Sequence, residues 1–343
     1  MNKSNFSKRI LSIILILVIS LFTGCSKNLE SASAEIFAMD TVITLSAYGN
    51  NCTTALDAAK KEIYRLEKLF SVTNEESDIS KLNLANGEAT AVSEDTYELI
   101  KKAVLCAKLT EGRFDPTIYN VLKLWGFTTG NHSVPNEKDL DEALTSVNYK
   151  NIQLKKDNTI SVTNSSQIDL GGIAKGYIAD KAAQAMEACG IDYGIISLGG
   201  NVRTVGHKSS GESFSVGIKA PESNDYFATI NTDDLSVITS GAYQRNFTEN
   251  GKTYHHIIDP ATGHPATSDA KSVTIIGKDG AMCDALSTAI FIGGSNYAET
   301  LQKKHPEFDY IILRNDSTVV VSKELRDSFS LSEGYSDLKI KYK

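Results

Sequence analysis

The stretch Gln167–Asp180, QIDLGGIAKGYIAD, reads as strand end, glycine turn and helix start. A short apolar run ends in a carboxylate, Asp169. Gly171 and Gly172 follow at once, and Lys175 falls in the first turn or two of a helical pattern that runs to Gly190. Such a turn exposes backbone N–H groups and the positive end of a helix dipole to an anion. Its glycines let a ligand come close to the backbone. Asp169 adds the opposite preference, for a cation or a donor group. A site for phosphate and metal together would satisfy both. The stretch has neither the GK[ST] of a Walker A loop nor the GxGxxG spacing of a dinucleotide fold. A βα turn that needs glycine only for packing would look the same.

Working outward from this turn, helical and alternating patterns mix along the chain. Phe37–Tyr48 alternates like a strand, and Thr53–Phe70 places Leu56, Ala59, Ile63, Leu66 and Leu69 at helical spacing. Ser93, followed by two acids, reads as the N-cap of a helix ending near Gly112. Pro135–Val147 is a short amphipathic helix, and Ile152–Leu154 with Thr159–Val162 form a hairpin around Asp157–Asn158. Beyond Gly190 the pattern turns strand-rich: Gly194–Leu198, Ser213–Ala220, Ala228–Thr232, Ser236–Ser240, Thr253–Ile258 and Lys271–Ile276. Helices over Ala281–Phe291 and Asn296–Lys304 and strands over Tyr310–Leu313 and Thr318–Val321 follow. The order predicts an α+β fold, with a division into two lobes as an open alternative.

The N-terminus gives an address. Lys3, Lys8 and Arg9 precede the apolar run Ile10–Phe22, and Thr23-Gly24-Cys25 follows. This is the pattern of a secretory signal, and the run is short for a membrane span. Small residues leading into a cysteine resemble the lipobox of bacterial lipoproteins. That resemblance implies a signal peptide over 1–24, cleavage before Cys25 and a lipid on its sulfur. An uncleaved signal anchor is the alternative. Residues 25–35 then form the lipidated cysteine and a polar tether, with the folded domain over 36–343. The expected place is the membrane, lipid-anchored on its extracytoplasmic side. With 41% hydrophobic residues the chain has enough for a sizeable core, and its formal charge of −7 makes it a poor nucleic-acid binder. Removing the three leader cations makes it more acidic still. Cys52, Cys106, Cys189 and Cys283 show no CxxC and no zinc spacing.

Other segments put polar groups where a core would not want them. His255 and His256 precede Asp259 at the end of a strand, so a histidine base with an orienting carboxylate fits; a structural histidine at a strand end fits as well. Asp284 and Thr288 stand four apart on one helix face and offer two oxygen ligands suited to Mg²⁺. An ordinary acidic helix start reads the same way. Arg113 and Asp115 flank Phe114 in a turn before a helix containing Trp125.

Taken in order, these segments resemble the ApbE family of FAD:protein FMN transferases. The resemblance runs through Met39-Asp40-Thr41, Glu76–Asn83, Gly112–Thr117, Leu124–Phe127, Asp169–Tyr177, Ser197–Asn201, Thr239–Gly241, His256–Pro260 with Thr262-Gly263, and Asp284–Thr288. It implies Mg²⁺-dependent transfer of FMN from its substrate FAD to a threonine of an extracytoplasmic acceptor protein, with release of AMP. Expected acceptors belong to membrane redox complexes. Carried over by position, it implies metal ligands at Asp284, Thr288 and the backbone carbonyl of Gly172. It implies FAD contacts at Met39, Arg113, Phe114, Asp115, Asp169, Lys175 and Ile258, and acid–base work at His256. Some members have a second carboxylate where this chain has Ser287. The resemblance also suggests two lobes with the flavin between them. An FAD pyrophosphatase using the same metal and a non-catalytic flavin- or solute-binding lipoprotein are the competing readings.

Overall fold

The computed structural model describes residues 30–343. The expected leader, residues 1–24, and Cys25 lie outside the described residues. Among the described residues there are seventeen strands, in chain order β1 Ser31–Ala38, β2 Thr41–Tyr48, β3 Thr90–Ala91, β4 Ile152–Leu154, β5 Thr159–Val162, β6 Tyr193–Leu198, β7 Asn201–Gly206, β8 Phe214–Lys219 and β9 Tyr226–Thr232. Then come β10 Ser236–Gly241, β11 Asn246–Glu249, β12 Lys252–His255, β13 Ala270–Gly277, β14 Phe308–Arg314, β15 Thr318–Val321, β16 Phe329–Leu331 and β17 Lys339–Tyr342. The helices are α1 Cys52–Phe70, α2 Asp78–Leu84, α3 Glu94–Leu109, α4 Tyr119–Trp125, α5 Glu137–Leu144, α6 Ala174–Ala188, α7 Gly280–Gly293 and α8 Ser295–Lys304.

One sheet organises the molecule, in the order β1-β2-β6-β7-β10-β13-β14-β15-β17. Its central strands are near-continuous apolar runs because both faces are covered. Alternation sorts their side chains. Ile238, Ile275, Tyr310, Ile312 and Val320 join the core under α7 and α8. Val237, Ile276, Ile311, Leu313, Val319 and Val321 join the opposite core, with Ile218, Ile230 and Phe329 of the small sheet β16-β9-β8. At the other end α1 and α6 cover β2 and β6, burying Ile43, Leu45, Ile196 and Leu198 with Leu56, Ile63, Ile178 and Met186. Ser31–Lys343 is one compact unit rather than two lobes. Among the described residues no helix is long and apolar enough to cross a membrane.

Two local expectations change. The strand expected over Phe37–Tyr48 is broken by a turn at Met39-Asp40: it takes in the last two residues of β1, the turn and all of β2, which pair as a hairpin. Both turn residues are left-handed, φ 51° and 57°, without the glycine or asparagine that normally marks such a turn. β1 starts at Ser31, inside the span expected to be tether. The Gln167–Leu170 run is an extended segment outside any sheet. The Asn83 amide grips both polar groups of Ile168, accepting from its N–H at 2.7 Å and donating to its carbonyl at 2.8 Å, as a neighbouring strand would.

Candidate active site

The floor of the site is a close crossing of α6 and α7. A Cβ on Gly176 would stand 2.0 Å from the carbonyl oxygen of Gly280, so only glycine permits this approach. The Gly176 N–H in turn donates to Asp284 Oδ2 at 3.0 Å, and Asn201 Nδ2 donates to Oδ1 at 3.1 Å. Asp284 is 4% exposed, and both donors are neutral. Part of the expected anion cradle is thus closed: Asp284 takes one first-turn N–H of α6, and the Ile173 and Ala174 N–H groups turn back to Leu170 O. Thr288 lies one turn along α7, with Oγ1 3.7 Å from where a Cβ on Gly172 would stand. Carboxylate, hydroxyl and the nearby Gly172 backbone make a small all-oxygen set around a buried charge. That chemistry fits Mg²⁺, which takes its remaining ligands from water and phosphate. Ser287 does not add to it; its hydroxyl donates to Asp284 O and bonds Ser240 Oγ, both at 2.7 Å.

A cavity of about 300 Å³ opens above this floor. Met39, Arg113, Phe114, Asp115, Asp169, Gly172, Lys175, His256, Ile258, Asp284 and Thr288 all line it. Every expected site residue within the described span is therefore brought to one place.

Asp169 is fixed by its own N–H, which donates to Pro116 O at 2.8 Å, and accepts from Gly171 N at 2.8 Å. Burial raises its pKa, against the pull of the Gly171 N–H and the charges of Arg245 and Lys175. His256 shows the reverse: burial first, then Lys175, push its pKa down to about 3. The ring is therefore neutral. Its Nδ1 lies 3.1 Å from the carbonyl of Arg245, which can only accept. That bond assigns the proton to Nδ1 and leaves the lone pair on Nε2. The expected orienter, Asp259, is committed elsewhere, accepting from Ala261 N at 2.9 Å and holding its own turn. A backbone carbonyl takes its place. His255 bonds Ala266 O at 3.1 Å and meets the Phe291 ring edge-on, a structural role.

The Arg113–Thr117 turn forms another wall. Asp115 accepts from Thr117 N, Thr117 Oγ1 and Tyr149 N at 2.9, 2.6 and 2.9 Å. Burial raises its pKa while these donors oppose the shift. Its carboxylate thus holds the turn together. Arg113 stacks 4.3 Å over the Tyr297 ring, and Phe114 sits beneath Gly172. Trp125 ties this wall to the histidine loop: its Nε1 donates to Gly263 O at 2.7 Å and its ring meets Tyr254 at 5.3 Å. Arg245 crosses the same seam to Phe127 O at 2.7 Å.

Arg245, Gln244 and Asn201 line the cavity without having been expected to act there. Asn201 stood inside the glycine-rich Ser197–Asn201 segment, a signal of position without a role. Arg245, a lone cation between two strands, carried no signal.

The ApbE family model matches residues 39–312. A protein named FAD:protein FMN transferase from Treponema pallidum (strain Nichols) is 31% identical, over 89% of this chain and 90% of its own length. One of the same name from Klebsiella pneumoniae (strain 342) is 31% identical over 80% of this chain and 86% of its own. The crystal structure of the ApbE protein from Thermotoga maritima superposes with a TM-score of 0.79 at 34% identity, covering 91% of this chain and all of that one. The flavin transferase ApbE from Vibrio cholerae, 23% identical, shares the fold with a TM-score of 0.74 over 90% of this chain and 99% of its own. The chain belongs to the ApbE family.

Proposed function

We propose that this protein transfers FMN from FAD to a threonine hydroxyl of an acceptor protein, with Mg²⁺, on the extracytoplasmic side of a membrane to which Cys25 anchors it. The observation that carries the reading is a neutral imidazole with its lone pair on Nε2, lining the same cavity as the oxygen set of Asp284 and Thr288. The threonine oxygen attacks the FMN-side phosphorus, the bond to the AMP phosphate breaks, and AMP leaves with the electron pair. His256 Nε2 takes the hydroxyl proton, and Nδ1 stays donated to the Arg245 carbonyl throughout. Lys175 and Arg245 line the cavity as cations for the phosphate charge. Asp284, Thr288 and the Gly172 carbonyl would hold Mg²⁺, which neutralises charge on the phosphate oxygens when bound. Such a reaction needs positioning and charge more than covalent help from the protein.

The test mixes purified protein, FAD and Mg²⁺ with extracytoplasmic acceptor domains. A fluorescent band should survive denaturing electrophoresis, appear together with AMP, and vanish when the acceptor threonine becomes alanine. Free FMN and AMP with no labelled protein would make the enzyme a pyrophosphatase. Tight FAD binding with neither product would make it a binding lipoprotein.

A further inference from the structure

The β1–β2 hairpin carries an apolar pair without cover. Phe37 and Val42 face each other across the ladder and are 66% and 50% exposed. Scattered exposed apolar side chains are ordinary. These two are instead cross-strand partners, at the tip of the hairpin whose turn, Met39-Asp40, lines the active-site cavity. On their strands Ala38 and Ile43 point the other way, into the core. At β10, β13, β14 and β15 the face away from the helices is buried under the three-stranded sheet. At β1 and β2, of the residues pointing away from the core, Glu35, Phe37, Val42 and Thr44 nearest the turn are exposed, while Ser46 and Tyr48 farther along β2 are half-buried.

The ledge is also rigid. The Met39 N–H donates to Glu67 Oε1 at 2.5 Å, and Thr41 presses on Gly199, where a Cβ would meet its hydroxyl at 2.1 Å. β1 is the edge strand of the sheet, so an extended chain beside it would also find backbone partners.

An enzyme that modifies a protein must hold that protein outside the cavity that holds the small substrate. We infer that the Phe37–Val42 ledge receives the acceptor protein, seating apolar side chains of the extended segment beside its flavin-accepting threonine. The inference rests on the transferase reading. A membrane surface is the poorer occupant: Ser31–Tyr48 contains no lysine or arginine, and Glu35 and Asp40 flank the pair.

The test uses the full chain in detergent, FAD, Mg²⁺ and a purified acceptor domain, comparing wild type with a Phe37→Ser/Val42→Ser variant. Both side chains are exposed, so the core is untouched. A Phe37→Leu/Val42→Ile variant controls for the backbone. The expected result is a roughly tenfold rise in KM for the acceptor domain, about 1.4 kcal/mol. FAD affinity and the rate at saturating acceptor should hold, and the conservative variant should behave as wild type. An acceptor KM within twofold of wild type would overturn the ledge alone. So would an FAD affinity that falls as far as acceptor affinity. Loss of binding to phosphatidylglycerol vesicles at unchanged acceptor KM would assign the pair to the membrane instead. No labelling by wild type would overturn the transferase reading, and the ledge with it.

Discussion

His256 and Asp284 are two polar groups held in different ways. His256 is kept neutral by burial and by nearby cations, so its folded pKa of about 3 lies below the ordinary 6.5. Between those values the unfolded chain binds a proton that the folded chain does not, so this group makes stability rise with pH across that window. His256→Gln should therefore lose less stability than wild type between pH 7 and pH 4.5, measured as denaturant midpoints at both. His256→Ala should slow labelling by roughly 10²–10⁴-fold while FAD affinity holds, because proton transfer belongs to the transition state. A matching loss of FAD affinity would make it a binding residue. Asp284 is buried with two neutral donors. Removing it as Asp284→Ala leaves both unsatisfied, at a cost of about 1–3 kcal/mol. Mg²⁺ should raise the melting temperature of wild type and leave that of the variant unchanged, and labelling should cease. An equal Mg²⁺ response in a folded variant would move the metal elsewhere.

At the scale of elements, the crossing of α6 over α7 builds the site. Gly172, Lys175 and the Gly176 N–H come from the start of α6, Asp284 and Thr288 from successive turns of α7, and the distance between them is set where Gly176 meets Gly280. Gly176→Ala should force the helices apart, destabilise the fold by about 1–3 kcal/mol or more, and abolish the Mg²⁺-dependent rise in melting temperature. Gly190→Ala, with open space around it but φ 80°, should lose stability through backbone strain alone and keep the Mg²⁺ response.

The legibility of these elements follows from what fixes each one. α1 and α3 were legible because each buries a face at helical spacing. The β1–β2 turn was not, since Met39-Asp40 carries no glycine, asparagine or proline and the left-handed bend is held from outside by Glu67 and Gly199. β7 was missed because its Arg203 is buried by pairing with Asp180 and Asp234, a long-range fact. The site residues could be named through the ordered resemblance, since each motif alone also fits an ordinary turn or cap. The role of Arg245, which offers its carbonyl to His256 and its guanidinium to Phe127, depends on a tertiary seam that a lone arginine does not announce.

On the scale of the whole molecule, the decisive quantity is how the domain would be held at a membrane. β1 begins at Ser31, six residue steps from Cys25, a span of at most about 20 Å of extended chain. Its formal charge is −7 even with the leader cations included. A net negative charge disfavours anionic lipid, which argues against an electrostatic attachment. The proposed lipid on Cys25 would then carry the attachment. Exporting residues 26–343 behind a leader that is cleaved without lipidation should therefore put all of the protein in the soluble extracytoplasmic fraction, at low and at high salt alike. Labelling of a membrane-complex acceptor in cells should fall, because the local concentration set by the short tether is lost. The kinetic constants of the purified protein with a soluble acceptor domain should match those of the lipidated form. Retention of the non-lipidated form on membranes would reveal an attachment surface within Ser31–Lys343 and displace Cys25 as the anchor.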